Sequence, residues 1–195
     1  MTFWNWRRGA QVAATSGSAA VALAPALAPI ELYTADARIV GWIAANGRRV
    51  TDLLNEQDEL RLWQPSPGRA EPLGPHLLKA GPGDPDAESG EWQTLVTETM
   101  ILAMPPEWRA SRQLRLHKRL RRVAVTAGPF SVTGNLHLHP GVEVSHHLLM
   151  RGQRFLPLTD AYILHNGEPP FEHVVSVVIV NTAHVTSLTP LVTLA

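Results

Sequence analysis

The sequence predicts a mainly β protein built as two tandem small bent-sheet barrels, with a short connecting helix and a flexible N-terminal tether. Two observations carry that prediction. The first is a repeat: Val123 to Leu158 looks like a cleaner occurrence of a pattern already present at Ile30 to Leu62. Both stretches run through an apolar strand, a Thr (Thr34, Thr126), a second strand holding a Gly (Gly41, Gly134) and a turn Gly (Gly47, Gly141). Each continues with Val plus a hydroxyl residue (Val50-Thr51, Val144-Ser145), a Leu pair (Leu53-Leu54, Leu148-Leu149) and another apolar strand (Glu59 to Leu62, Phe155 to Leu158). The second observation is periodicity, because apolar and polar residues alternate with the two-residue period of half-buried strands. A chain of 195 residues holds two units of roughly 70 residues, each with a thin core that must lean on its neighbour or on a partner.

Residues 1–29 are read as the tether. Phe3, Trp4 and Trp6 stand beside Arg7 and Arg8, a combination that suits a partner pocket or a membrane surface. Arg7-Arg8 followed by an Ala-rich stretch has the outline of an export signal, but Thr15, Ser16, Gly17 and Ser18 interrupt the apolar run, and Pro25 and Pro29 flank the cleavage point. A small-residue linker fits better. The first barrel is assigned to residues 30–106. Asn46-Gly47 predicts a tight hairpin turn, Gly41 a bulge or bend, and Val50 to Asn55 a helical turn with Thr51 as its cap. Residues 64–90 carry prolines and glycines throughout, predicting a long loop specific to this half, before a last strand from Trp92 to Met104. Residues 107–122 form the basic connector, expected to be a helix opened by Pro105-Pro106-Glu107. In the second barrel, 123–195, Ser131 to His139 alternates cleanly, and Val174 to Val180 should be the most buried strand.

Charge and cysteine narrow the possible functions. Seventeen basic residues balance seventeen acidic ones, so no global field draws the protein to nucleic acid or an anionic membrane. Locally the balance breaks: eleven acids against three bases lie between Asp52 and Glu107, and seven bases with no acid between Trp108 and Arg122. Such blocks favour contact with a partner of matching pattern. With no cysteine, disulfides and thiol catalysis are excluded. No stretch approaches the roughly 20 apolar residues of a membrane span, and a cytoplasmic protein, membrane-associated at most through a partner, is expected.

The module ELYTADARIVGWIAANGRRVTDLLN...ELRL and its partner VAVTAGPFSVTGNLHLHPGVEVSHHLLMRGQRFLPLTDA...VVIVNTAHVTSL resemble an uncharacterised group of short bacterial proteins. Their pattern is a strand ending in Gly, a Gly turn, a hydroxyl-Leu-Leu-Asn segment, a Pro-Leu-Thr-Asp strand and a final Val-Asn strand. The resemblance implies small barrels of the Sm-like or SH3-like kind, covering most of residues 30–63 and 121–187, and implies no catalytic residue. The first half departs at the Asp-Ala after its fourth strand and at the Val-Asn, in whose place Ala103-Met104 is read.

Three chemistries have candidate residues in the sequence. His137 and His139 share one strand face, a spacing able to chelate zinc or copper, but no thiol or carboxylate at fixed spacing completes the set, and an exposed polar face is the simpler account. Arg112, Arg115, Arg119 and Arg122 would line one face of a helix and give an RNA alternative, although Trp108 is the sole aromatic in that run and Asp84, Asp86, Glu88 and Glu91 offer acidic partners within the chain. Ser145 beside His146-His147 lacks a nucleophile-elbow setting, and adjacent strand residues point apart. No enzyme and no cofactor are expected. The sequence therefore predicts a non-catalytic scaffold or accessory subunit that contacts proteins through Trp4, Trp6, Arg7, Arg8, Arg112, Arg115, Arg119 and Arg122, with an Sm-like RNA-binding protein as the first alternative and a His-based metal-binding protein as the second.

Overall fold

A computed structural model describes residues 27–64, 90–105, 119–141, 144 and 152–191. The first half opens with strands β1 (Leu27–Tyr33) and β2 (Arg38–Ala44). Asn46 and Gly47 take positive φ (46° and 78°) and the Arg48 N–H closes the turn on the Ala45 carbonyl at 2.8 Å. This turn leads into helix α1 (Val50–Glu56), not into a second hairpin strand. Val50, Leu53 and Leu54, at helical spacing, bury its inner face. Arg49 occupies the N-cap without a side-chain bond, so Thr51 is not the cap. Strands β3 (Glu59–Gln64) and β4 (Glu91–Val96) follow, then a 3-10 turn at Thr97–Thr99 that splits the expected last strand and leaves a short β5 (Leu102–Met104).

The second half supplies β6 (Arg119–Ala127), β7 (Phe130–Leu138), β8 (Phe155–His165), β9 (Phe171–Asn181), a 3-10 turn at Thr182–His184 and β10 (Val185–Pro190). Arg119 to Arg122 therefore extend β6 and do not end a helix. β7 alternates buried and half-buried positions along its whole length, as its sequence predicts. β9 is less uniform: Val178 to Asn181 are buried, while Val174 is 70% exposed.

All ten strands join one antiparallel sheet, curled into a half-barrel, in the order β10-β6-β7-β8-β9-β5-β1-β2-β3-β4. The order falls into two runs of five, each led by the last strand of its half. Registers match as well. Gly41 faces Ile30 and Gly134 faces Val123; Trp42 faces Trp63 and Asn135 faces Thr159; Val96 faces Glu59 and Asn181 faces Phe155. By this register Thr126 matches Tyr33 rather than Thr34, and Val96, not Ala103-Met104, stands where Asn181 does.

The two runs meet where β5 pairs with β9, Leu102 opposite Val180 and Ala103 opposite Ile179. Because strand side chains alternate between faces, this seam feeds two cores at once. Leu102, Met104, Val178 and Val180 pack with the residues of the second half, and Ala103 and Ile179 with those of the first. Tyr33 of the first half sits in the second core, and Phe155 of the second half sits in the first.

Two glycines stand inside strands, Gly41 in β2 and Gly134 in β7, where room for a side chain is short. A Cβ on Gly41 would lie 2.6 Å from Leu62 Cγ and 2.7 Å from the Trp63 carbonyl oxygen. One on Gly134 would meet Leu158 Cβ at 3.0 Å, beside the register shift between Thr133 and Asn135. Gly41→Val should therefore lower stability by about 1–3 kcal/mol through overpacking, with Gly134→Val acting in the same direction, as measured by chemical denaturation.

Candidate interaction surfaces

Matched register places two rows of side chains at corresponding levels. In the first half, Pro29, Trp42, Trp63 and Trp92 stand opposite one another across β1-β2-β3-β4. Residues directly opposite in an antiparallel sheet share a face, so three tryptophans form a continuous ridge. Trp63 is buried, Trp92 at the end strand is 41% exposed, and the Arg61 guanidinium lies 5.2 Å from the Trp92 ring centre. The Trp42 Nε1 is buried with no hydrogen-bond partner among the described residues. In the second half the same level holds Arg122, Asn135, Thr159 and Val177. One level is thus aromatic and its counterpart polar.

That polar row brings together two of the residues singled out from the sequence. Arg122 Nη1 donates to the Asp160 carbonyl at 3.0 Å, Asn135 Nδ2 donates to the Asp160 carboxylate at 3.0 Å, and His137 Nε2 bonds Thr159 Oγ1 at 2.8 Å. Asp160 holds φ of 48°, bending β8 so that its carbonyl and carboxylate both face these donors. Arg119 is not part of the row. Three residues from Arg122 on a strand, it projects to the opposite face. His139 is exposed beyond the end of β7. Among the described residues no three His, Asp or Glu side chains gather as a metal site. Trp4, Trp6, Arg7, Arg8, Arg112 and Arg115 lie outside the described residues, as do His146, His147 and nearly all of the loop 64–90.

No protein-family model, curated protein or solved structure matches this chain.

Across the boundary between the halves, a set of contacts clasps one to the other. Asn55 Nδ2 donates to the Phe155 carbonyl at 3.1 Å, and the Phe155 N–H donates back to Asn55 Oδ1 at 3.0 Å. Arg154 donates to Asp58 at 2.6 Å and to the Gln57 carbonyl at 2.7 Å. The buried Asn181 side chain donates to the Met100 carbonyl at 2.8 Å and reaches the Thr97 carbonyl at 3.3 Å, while its own N–H donates to the Ile101 carbonyl at 2.9 Å. Sequence reading registered Asn55 and Asn181 as pattern residues without assigning them a task. Their signal was present: an Asn just after an apolar helical turn or strand is a residue suited to satisfying backbone groups of a neighbouring segment.

An ion pair is buried at this boundary. Glu31 Oε1 accepts from Arg38 Nε and from the Tyr33 hydroxyl, each at 2.5 Å, with all three residues at or below 8% exposure. Burial, and then the adjoining Glu31 carboxylate, push the Tyr33 phenol far above its ordinary range. The other tyrosine, Tyr162, is also raised, through its hydrogen bond to Glu172.

Two measurements follow from these groups. Asn181→Ala leaves buried carbonyls without donors and should cost about 2–3 kcal/mol, read by denaturation. Because Tyr33 holds its proton more tightly folded than unfolded, its contribution to stability is complete below about pH 10 and declines as pH rises beyond that. A spectrophotometric titration of the folded protein should show no tyrosinate at the ordinary phenol midpoint, with absorbance appearing together with unfolding.

Proposed function

We propose that the chain is a non-catalytic scaffold or accessory subunit that makes protein-protein contacts in a larger bacterial assembly, built as two tandem small barrels of the Sm-like or SH3-like kind. One observation carries the proposal: the β5-β9 seam, where one five-strand run adds its edge to the edge of another. Edge-to-edge addition is also a common way for folded domains to take up partners, and this sheet ends in two strands, β4 and β10, that pair on one side only among the described residues. The repeated strand order and the matched in-strand glycines support the barrel assignment. The polar groups of the second-half row are engaged with one another, which suits a binding surface better than a reaction centre.

The RNA alternative draws on Arg119 and Arg121, which stand exposed at the start of β6. A mild pull-down of the tagged chain from its native cells, with and without nuclease, decides between the two. A defined protein set that survives nuclease is the expected result. Recovery of RNA, with partners lost after nuclease and binding abolished when Arg112, Arg115, Arg119 and Arg122 become Glu, would establish the alternative.

A further inference from the structure

The seam inside the chain specifies what the two strands that end the sheet among the described residues, β4 and β10, can do. β9 contributes to the seam as the last strand of its run and β5 as the leading strand of its own. The corresponding strands left over are β4 and β10. We propose that a second copy of this chain occupies them, β10 of one copy pairing antiparallel with β4 of the next and repeating the internal seam between molecules. The proposal deepens the scaffold assignment by naming one partner.

Backbone direction permits it. The Thr97 N–H donates inward to the Asp58 carbonyl. N–H groups alternate along an antiparallel strand, so those of Trp92, Thr94 and Val96 point away from β3. The Leu191 N–H donates inward to the Arg122 carbonyl, so the outward positions on β10 are Leu188 and Pro190; the proline forfeits no bond to β6 but offers an added strand its carbonyl alone, so the ladder between copies has one donor fewer there. Carrying the Leu102-Val180 register to β4 and β10 sets Thr94 opposite Leu188, two residues whose backbone groups both face away from the neighbouring strand, and Trp92 opposite Pro190. In the seam the Asn181 N–H donates to Ile101; between copies Val96 would donate to the Thr186 carbonyl.

Side chains at these edges fit the same partner. Trp92 and Val96, 41% and 48% exposed, line β4, and Leu191, 41% exposed, directly follows β10. Val177, the counterpart of Trp92, already packs against the first core in the seam. Charge agrees: Glu91 lies at the end of β4 that would meet Leu191 and, on the adjoining strand, Arg121 and Arg122. The contact is more polar than the seam, since Ser187 and Thr189 stand where Leu102 and Met104 do, and Asp58, Glu59 and Val96 replace Arg154, Phe155 and Asn181. It should therefore be reversible and dependent on concentration. Such head-to-tail pairing is heterologous and continues from copy to copy.

The purified chain tests this without any other component. Light scattering and sedimentation should show a mass that rises above the monomer by a concentration on the order of 100 µM. Thr94→Pro removes an outward N–H on β4, and Thr189→Glu places a carboxylate on β10 opposite Gln93 and diagonal to Glu91 on the same face. Each variant alone should remain monomeric, and mixing them should give a 1:1 heterodimer and nothing larger, because one retains β10 and the other β4. Circular dichroism and thermal melting verify the fold, and Val96→Lys, at an exposed position, replaces Thr94→Pro should the proline unfold the strand. A wild-type chain that stays monomeric, as it would if the chain's own residues covered the edges, overturns the proposal, as does association that persists in both variants or a mixture that fails to pair. None of these outcomes bears on the pull-down, so the scaffold assignment stands or falls separately.

Discussion

The pairing of β5 with β9 is the constraint on which the rest of the molecule depends. β5 is three residues long and buried on both faces. A strand so short contributes few hydrogen bonds; its hold comes from Leu102 and Met104 entering one core while Ala103 enters the other. Fully burying a large apolar side chain is worth about 1.5–3 kcal/mol, and Leu102, Met104, Val178, Ile179 and Val180 are all buried here. Neither core is complete within its own half, since Tyr33 and Phe155 cross in opposite directions. Stability therefore belongs to the pair of runs, and the thinness expected of units this small is remedied by sharing.

Polar groups reinforce the same boundary. The Glu31-Arg38-Tyr33 cluster is deeply buried, and an ion pair in that setting gains little net stability over an apolar replacement while making the loss of either member costly. Its value is registration: β1 and β2 align with Tyr33 opposite Arg38, and a slip of one residue would strand a carboxylate in the core. At the corresponding level of the second half the positions are Ala124, Thr126 and Ser131, on a face that is only half-buried. The two halves share a backbone plan and differ in chemistry where one is covered and the other is open.

Much of the backbone plan was legible in the sequence, and the reasons are local. β7 declares itself because one face is solvated and the other is core, giving strict alternation. Gly41 and Gly134 stand out because glycine inside a strand pattern weakens it unless space demands it. The misassignments have equally specific causes. Trp92 to Met104 reads as one strand because Thr97 to Thr99 are acceptable strand residues, while the groups that hold them in a turn, Asn181 and His184, are distant in the chain. Val174 to Val180 looks uniformly buried because β-branched residues do not reveal which of them lies beyond the seam. Arg119 and Arg122 suit a helix by spacing, yet continue β6, where pairing with β7 overrides a propensity that is weak at best. The tryptophan ridge was invisible for a different reason: Trp42, Trp63 and Trp92 are far apart in the chain, and only register makes them neighbours.

The clasp between the halves is addressed chiefly to backbone. Asn181 reads carbonyls of the Thr97–Thr99 turn and of Met100; Asn55 reads the amide and carbonyl of Phe155; Arg154 reads the carbonyl of Gln57 as well as Asp58. A carbonyl is the same whatever side chain its residue carries. Substitutions at the receiving positions, apart from Asp58, leave the grip intact so long as the turn keeps its shape, whereas the three reaching residues have no comparable latitude. Sequence drift in such a protein is thus channelled to one side of the boundary, and the two halves can diverge in surface character without parting company.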